Sequence, residues 1–138
     1  MAEEFLNFGN QILPSIRFTD GKEIKEGFFP LEIELLPSKI LMEFQATLIV
    51  IGRSSTADFK IPSPCVSRRH CILSWSLHGW TLRDLDSKNG TFVNGKSIVS
   101  KRIKEEDEIK VGKFTFIVKK AEAEFQLFRA IQEYKQAG

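Results

Sequence analysis

The chain has 138 residues, of which 42% are hydrophobic, and its formal net charge is +2. This length predicts one domain with its own core, and so mild a charge does not by itself indicate a nucleic-acid partner. The two cysteines are too few for a disulfide framework. The first residues, MAEEFLNFGNQILP, are unlike a signal peptide. No apolar run is as long as a membrane span. We therefore expect a cytoplasmic protein without membrane insertion, although a nuclear location also fits a eukaryotic source.

In chain order, an N-terminal extension is followed by many short β-strands. The extension, residues 1–27, is compatible with a short helix at 3–8 and a hairpin through FTDGKEI (18–24). Apolar residues at every second position, or in short runs, predict strands at 31–35, 40–44, 47–52, 71–75, 80–82, 91–93, 107–111 and 114–118. The continuous run TLIVIG (47–52) is typical of a strand that is buried on both faces. Short strands separated by turns predict an all-β sandwich or barrel.

The C-terminal segment, residues 121–138, has a different pattern. In AEAEFQLFRAIQEYKQ (121–136), Phe125, Phe128 and Ile131 recur at helical spacing on one face. This pattern predicts an amphipathic helix. Its apolar face must be covered, either by its own sandwich or by a partner.

The stretch SPCVSRRHCILSW (63–75) has three alternative interpretations, of which a metal site is the first. Cys65, His70 and Cys71 offer three ligands, and His78 is the one other histidine. A structural zinc site needs four ligands at a recognisable spacing. Cys71 also falls in the inward-facing row of the following strand, where a free cysteine behaves as a small apolar residue. Both points argue against a metal.

Catalysis and anion binding are the other two interpretations. Ser67 as a nucleophile would need a base, an orienting carboxylate and an oxyanion hole, and no G-x-S-x-G motif is present. Anion binding is favoured because arginine grips phosphate in a planar fork, while serine and loop N–H groups add donors. Three segments of this kind adjoin predicted strands, namely GRSS (52–55), VSRRH (66–70) and DSKNGT (86–91).

These segments resemble the forkhead-associated (FHA) domain family over residues 28–120. The resemblance is carried by four short motifs in order, together with two longer matching stretches: Gly52-Arg53, Ser67-Arg68-Arg69-His70, Asn89-Gly90-Thr91, Asn94-Gly95, DLDSKNGTFVNGK (84–96) and EEDEIKVGKFTFIV (105–118). It implies an eleven-stranded, antiparallel-rich FHA β-sandwich at 28–120, flanked by the extension and by the helix.

The resemblance also implies a function. The chain is expected to be a non-catalytic module that binds phosphothreonine peptides and so mediates phosphorylation-dependent protein–protein interaction. Its partners would be a threonine-phosphorylated protein and, upstream, the Ser/Thr kinase that phosphorylates that protein. No cofactor, metal or nucleic acid is expected. The alternative is an FHA-like scaffold that makes phosphate-independent contacts in a protein assembly.

The family's motif assigns a role to each matching position. Arg53 is expected to make the charged phosphate contact, Ser67 to donate its hydroxyl, and Arg68 to add a further contact to phosphate or peptide. Lys88 could reach the phosphate, and Asn89 is expected to hydrogen-bond the peptide backbone. Architectural roles are implied for four other residues, which are Gly52, His70, Gly90 and Asn94.

Overall fold

The structure is a computed structural model, and it describes residues 3–8, 11–22 and 27–121 together with the single positions Ile131 and Tyr134. These residues form thirteen β-strands. In chain order the strands are β1 (Glu3–Phe8), β2 (Gln11–Thr19), β3 (Leu31–Leu36), β4 (Ile40–Gln45), β5 (Leu48–Gly52), β6 (Phe59–Lys60), β7 (Cys71–Ser76), β8 (Gly79–Asp84), β9 (Thr91–Val93), β10 (Lys96–Ser97), β11 (Ser100–Arg102), β12 (Glu108–Val111) and β13 (Phe114–Lys120).

Two sheets share one core, which confirms the predicted all-β sandwich. The larger sheet has eight strands in the order β1-β2-β4-β3-β13-β12-β9-β10, and the smaller has five in the order β11-β8-β7-β5-β6. Both sheets are mixed: β2 is parallel to β4 and β5 is parallel to β6. The other neighbouring pairs of described strands are antiparallel.

The core is filled by alternate residues of the paired strands, because successive side chains of a strand point to opposite faces. Its central members are Leu31, Ile33, Met42, Phe44, Cys71, Leu73, Trp80 and Leu82. Each large apolar side chain that is buried contributes about 1.5–3 kcal/mol. The fully buried Trp80 also satisfies its polar atom, since its indole N–H donates to the Phe29 carbonyl at 2.9 Å.

The N-terminal extension is part of the larger sheet. Residues 3–8 form strand β1 and not the short helix expected there. β1 pairs with β2, and β2 lies parallel to β4 with Phe18 opposite Phe44. The two rings stack at 4.7 Å between centroids. This position was missed because it depends on a tertiary partner, whereas the helix was inferred from local pattern.

Two further predictions concern the strand count and the C-terminal segment. The thirteen strands exceed the eleven that the resemblance implies, because β1 and β2 precede residue 28. The hairpin expected at 18–24 lies partly outside the described residues, and the amphipathic helix at 121–136 lies almost wholly outside them, so it stays a prediction. In the described part of the chain no helix has the length and apolar character needed to cross a membrane.

The ends of four strands of the smaller sheet meet at one end of the sandwich, which we call the loop end. Cys71, the first residue of β7, lies opposite Ile51 in β5 and opposite Asp84, the last residue of β8. β6 ends beside β5, where Lys60 lies opposite Gly52. Three connections therefore share the loop end: the first loop (53–58), the second loop (61–70) and the third loop (85–90).

Candidate functional site

The first and second loops are joined by main-chain hydrogen bonds that continue the β5–β7 ladder beyond the ends of the strands. The N–H of Arg53 donates to the Ser67 carbonyl at 2.9 Å. The N–H of Ser54 donates to the Arg68 carbonyl at 3.1 Å. These bonds bring Arg53 and Ser67, which are distant in sequence, to adjacent positions at the loop end.

Gly52 permits this close approach. A Cβ atom at residue 52 would lie 2.1 Å from the carbonyl oxygen of Arg68 and 3.1 Å from the Cα atom of Arg69. Both atoms belong to the main chain, so neither can turn aside as a flexible side chain could. The requirement at Gly52 is therefore space between two backbones, not an unusual backbone conformation.

The Arg53 guanidinium is exposed but held in place from one side. Its Nε–H donates to the Val66 carbonyl at 3.1 Å. Within the described part of the chain no carboxylate forms an ion pair with it. The bond at Nε orients the planar group, and the Nη donors remain free to contact an anion through parallel hydrogen bonds.

The hydroxyl of Ser67 is oriented by the third loop. The main-chain N–H of Lys88 donates to Ser67 Oγ at 2.9 Å. An oxygen that already accepts this bond still has its own hydrogen to donate. Among the described residues that hydrogen has no recorded acceptor, so the hydroxyl is positioned to donate to a ligand.

His70 connects the second loop to the third from a fully buried position. Its Nδ1 accepts the main-chain N–H of Ser67 at 3.0 Å. Nδ1 can accept only when it carries no hydrogen, so the hydrogen is on Nε2, which donates to the Gly90 carbonyl at 2.8 Å. Both ring nitrogens are therefore satisfied by main-chain groups, and the ring fixes the distance between the two loops.

The third loop is folded around the carboxylate of Asp84. The hydroxyls of Ser87 and Thr91 both donate to Asp84 Oδ1, and the N–H of Ser87 donates to Oδ2 at 3.1 Å. Burial raises the pKa of Asp84, but the hydrogen bonds from Ser87 and Thr91 outweigh it and leave the pKa below its ordinary value. The charged carboxylate is thus the form that organises the loop.

The remaining predicted binding residues, Arg68, Lys88 and Asn89, are exposed at the loop end. The side-chain amide of Asn89 donates from Nδ2 to the Cys65 carbonyl at 2.8 Å. This bond fixes the amide plane and leaves Oδ1 and one N–H for another partner. The side chains of Arg68 and Lys88 form no ion pair with any described residue.

Of the four residues with predicted architectural roles, three lie at the loop end and one does not. Gly52, His70 and Gly90 connect the loops as described, and Gly90 has a positive φ of 83°. Asn94 lies in the turn between β9 and β10. Its side chain bonds to Asp107 and to the N–H of Glu108 at 2.9 Å, so it organises the larger sheet.

The metal and nucleophile interpretations find no matching geometry in the described residues. Burial raises the pKa of Cys71 to about 12, so its thiol stays protonated and unsuited to metal binding. His70 accepts the main-chain N–H of Ser67 and not its hydroxyl, so the two residues are not arranged as base and nucleophile. Within the described residues no group of three or more potential ligand side chains is placed to hold a metal ion.

Sequence reasoning missed three contributors to this geometry. The carbonyls of Val66 and Cys65 anchor Arg53 and Asn89, and they carry no side-chain signal. Asp84 was quoted only as part of a longer motif, although aspartate is a favoured first residue of turns and this preference could have indicated its role.

Taken together, the loop end presents free hydrogen-bond donors and unpaired positive charge. Arg53 and Ser67 lie beside each other through their main chains, and the second and third loops bring Arg68 and Lys88 to the same end. Such a set fits a compact dianion with several acceptor oxygens, the chemistry of a phosphate group. The structure is thus a β-sandwich whose loop end has the donors and the charge that suit an anion.

Comparison with known proteins agrees with this class. The family model of the FHA domain matches residues 49–112. The FHA domain-containing protein FhaA of Mycobacterium tuberculosis is 37% identical over 70 residues, which are 51% of this chain and 13% of that protein. The curated relatives that the chain matches are much longer, since it spans from 10% to 41% of their length.

Solved structures match a longer part of this chain. The FhaA FHA domain, solved in complex with the intracellular domain of Rv3910, is 31% identical with a TM-score of 0.60, covering 64% of this chain and 99% of that one. A domain from an analysis of phosphothreonine-dependent FHA domain interactions is 30% identical with a TM-score of 0.60, covering 66% and 96%. The chain belongs to the FHA domain family.

Proposed function

We propose that this chain is a phosphothreonine-peptide-binding module that mediates phosphorylation-dependent protein–protein interaction in Ser/Thr kinase signalling. The observation that carries the proposal is the main-chain hydrogen bond that places Arg53 beside Ser67 at the loop end, with no acidic partner for Arg53 among the described residues. Two relatives support it: one comes from work on phosphothreonine-dependent interactions, and the other was solved bound to a domain of a second protein.

Each predicted binding residue receives a role in this proposal. Arg53 forms a two-pronged contact with phosphate oxygens, and Ser67 donates its hydroxyl to another. Arg68 and Lys88 add positive charge at the rim, where water and salt screen it. Asn89 binds the main chain of the peptide through the part of its amide that Cys65 leaves free.

The support for these groups comes from residues that hold the loops. Gly52 allows the first and second loops to approach, and His70 with Gly90 holds the second loop against the third. Asn94 acts at a distance through the larger sheet. These residues position the binding groups without touching the ligand.

The domain boundaries belong to the proposal. We assign the FHA sandwich to 28–120, an extension to 1–27 and a C-terminal helix to 121–138. Strand β2 of the extension pairs with β4, so we treat the extension as an addition to the larger sheet. The partner is a protein that a Ser/Thr kinase has phosphorylated on threonine. The module itself performs no catalysis.

Calorimetric titration tests the proposal with the intact chain. A library of phosphothreonine peptides is screened, and the best binder is compared with its unphosphorylated form. We expect binding of the phosphorylated peptide alone, because the unphosphorylated one offers nothing to Arg53 and Ser67. Equal binding of both forms would favour the phosphate-independent scaffold, and no binding of either would contradict the proposal.

A further inference from the structure

A surface depression adjoins the loop end beside Arg53. It has a volume of about 420 Å³ and is lined by Arg53, Lys60, Pro62, Ser63 and Pro64. Arg53 therefore borders both the proposed phosphate site and this depression. A peptide anchored by its phosphate at Arg53 would have its flanking residues within reach of the depression.

The position of Lys60 follows from the order of strands. β6 is the edge strand of the smaller sheet and runs parallel to β5, with Lys60 opposite Gly52. The N–H of Ile61 donates to the Gly52 carbonyl at 2.8 Å, which holds the start of the second loop against β5. Lys60 thus lies one strand outward from Gly52, about 5 Å across the sheet, and Arg53 is the next residue along the chain. On the inward side of Arg53 the next group is Ser67.

The depression is positively charged and has stiff walls. Lys60 is exposed, and it forms no ion pair with any described residue. The nearest acidic residue along the chain, Asp58, is occupied elsewhere, because its carboxylate accepts the N–H of Val50 at 2.8 Å. Pro62 and Pro64 fix the main chain of the wall, since the proline ring restricts φ. The residues that line the depression include no acid.

We propose that this depression is a second anionic subsite, which receives the side chain of a glutamate or aspartate next to the phosphothreonine. The inference rests on the proposed function, because the phosphate contact at Arg53 sets which peptide residue reaches Lys60. An acidic side chain there would lie between two cations, Arg53 and Lys60. The module would thus recognise a phosphothreonine that has an acidic residue beside it, and Lys60 would determine the preference for the acidic residue.

The test uses the intact chain and one series of phosphothreonine peptides. Each peptide carries glutamate, alanine or lysine at one flanking position in turn, and affinities are measured by calorimetry at fixed ionic strength. At one position we expect glutamate to bind about 2- to 5-fold more tightly than alanine, the range for a partly exposed ion pair. Lys60→Ala should remove this preference, and Lys60→Glu should favour lysine at the same position.

Lys101 supplies the matched control. It is an exposed lysine in β11, the opposite edge of the same sheet, and Lys101→Glu makes the same change of net charge. The Lys101→Glu variant should keep the glutamate preference. The inference is wrong if phosphothreonine peptides bind without a glutamate preference, or if Lys60→Glu keeps it; in both cases the proposed function stands. If no phosphothreonine peptide binds, the proposed function fails and the subsite fails with it.

Discussion

The loop end and the N-terminal strands belong to the same sandwich, yet different interactions hold them. At the loop end, a side chain joins main-chain groups of separate loops: His70 accepts from Ser67 and donates to the Gly90 carbonyl. In the extension, β2 is attached to β4 by the main-chain ladder and by the stacking of Phe18 on Phe44. The first region depends on the identity of polar residues, and the second on apolar volume.

This difference separates binding from stability. A polar substitution at the loop end moves or removes a donor while most of the core is untouched. An apolar truncation in β2 creates a cavity far from the donors. We therefore expect changes in the two regions to affect different measurements.

Phe18→Ala is expected to have the largest effect of these variants, and the effect should be on stability. Phe18 is buried and also contacts Phe59 at 5.2 Å between ring centroids, so its truncation should lower the free energy of unfolding by about 3–5 kcal/mol. Urea denaturation measures the change, with Leu77→Ala at an exposed position as control. The folded variant should bind peptide as the wild type does. Unchanged stability would show that β2 adds nothing to the core.

The strands that were predicted from sequence are those with a clear apolar pattern, either alternation or a short run, and they include β5, β9, β12 and β13. β3, β4, β7 and β8 carry apolar residues at every second position and were expected close to their observed bounds. β5 was expected to be buried on both faces, but Leu48 is 56% exposed, because one face of the smaller sheet meets solvent. β6 has two residues, too few for any period to appear.

Arg53→Ala is expected to have the next largest effect, and the effect should be on binding. Removing one partner of a close charged pair costs about 2–5 kcal/mol, or about 30-fold or more in affinity. The melting temperature should stay close to that of the wild type, because the guanidinium is exposed. Arg53→Lys should bind with an affinity between those of the wild type and Arg53→Ala, since lysine keeps the charge but lacks the planar fork.

Arg102→Ala removes an exposed arginine from β11 and serves as the control for Arg53. Wild-type affinity in a folded Arg53→Ala variant would remove Arg53 from the site. Loss of folding would instead assign the arginine to the structural group, and it would end the separation between the two regions.

Gly52→Ala is expected to change both stability and binding, although it adds only one methyl group. With the Arg68 carbonyl only 2.1 Å from the new Cβ, the first and second loops must separate. Overpacking of this kind costs about 1–3 kcal/mol of stability. Affinity should fall as well, since Arg53 and Ser67 would move apart. Gly95→Ala is a useful comparison, because it strains the positive φ of 80° at that residue while no atom lies within 4 Å of the new Cβ, so stability should fall without a change in affinity. Wild-type affinity in Gly52→Ala would show that this spacing is unimportant.

The candidate site was predictable as far as its side chains are distinctive. Arg53, Ser67 and Asn89 occur in recognisable motifs, and the structure brings them together. The groups that orient them are mostly main-chain atoms, such as the Val66 carbonyl, which every residue possesses. Their role depends on where the loops meet, so it becomes visible only in three dimensions.

Lys88→Ala should have the smallest effect, although its neighbour Ser67 is central to the proposal. Lys88 orients Ser67 through its main-chain N–H, which alanine retains. What is lost is an exposed charge, worth at most about 1 kcal/mol or 5-fold in affinity, and less at high salt. Ser67→Ala removes a hydrogen bond to a charged group and should weaken binding by about 10-fold or more. Calorimetry at two salt concentrations compares the variants. If Lys88→Ala proved the more damaging, recognition would depend on diffuse charge and not on the positioned donors of the loop end.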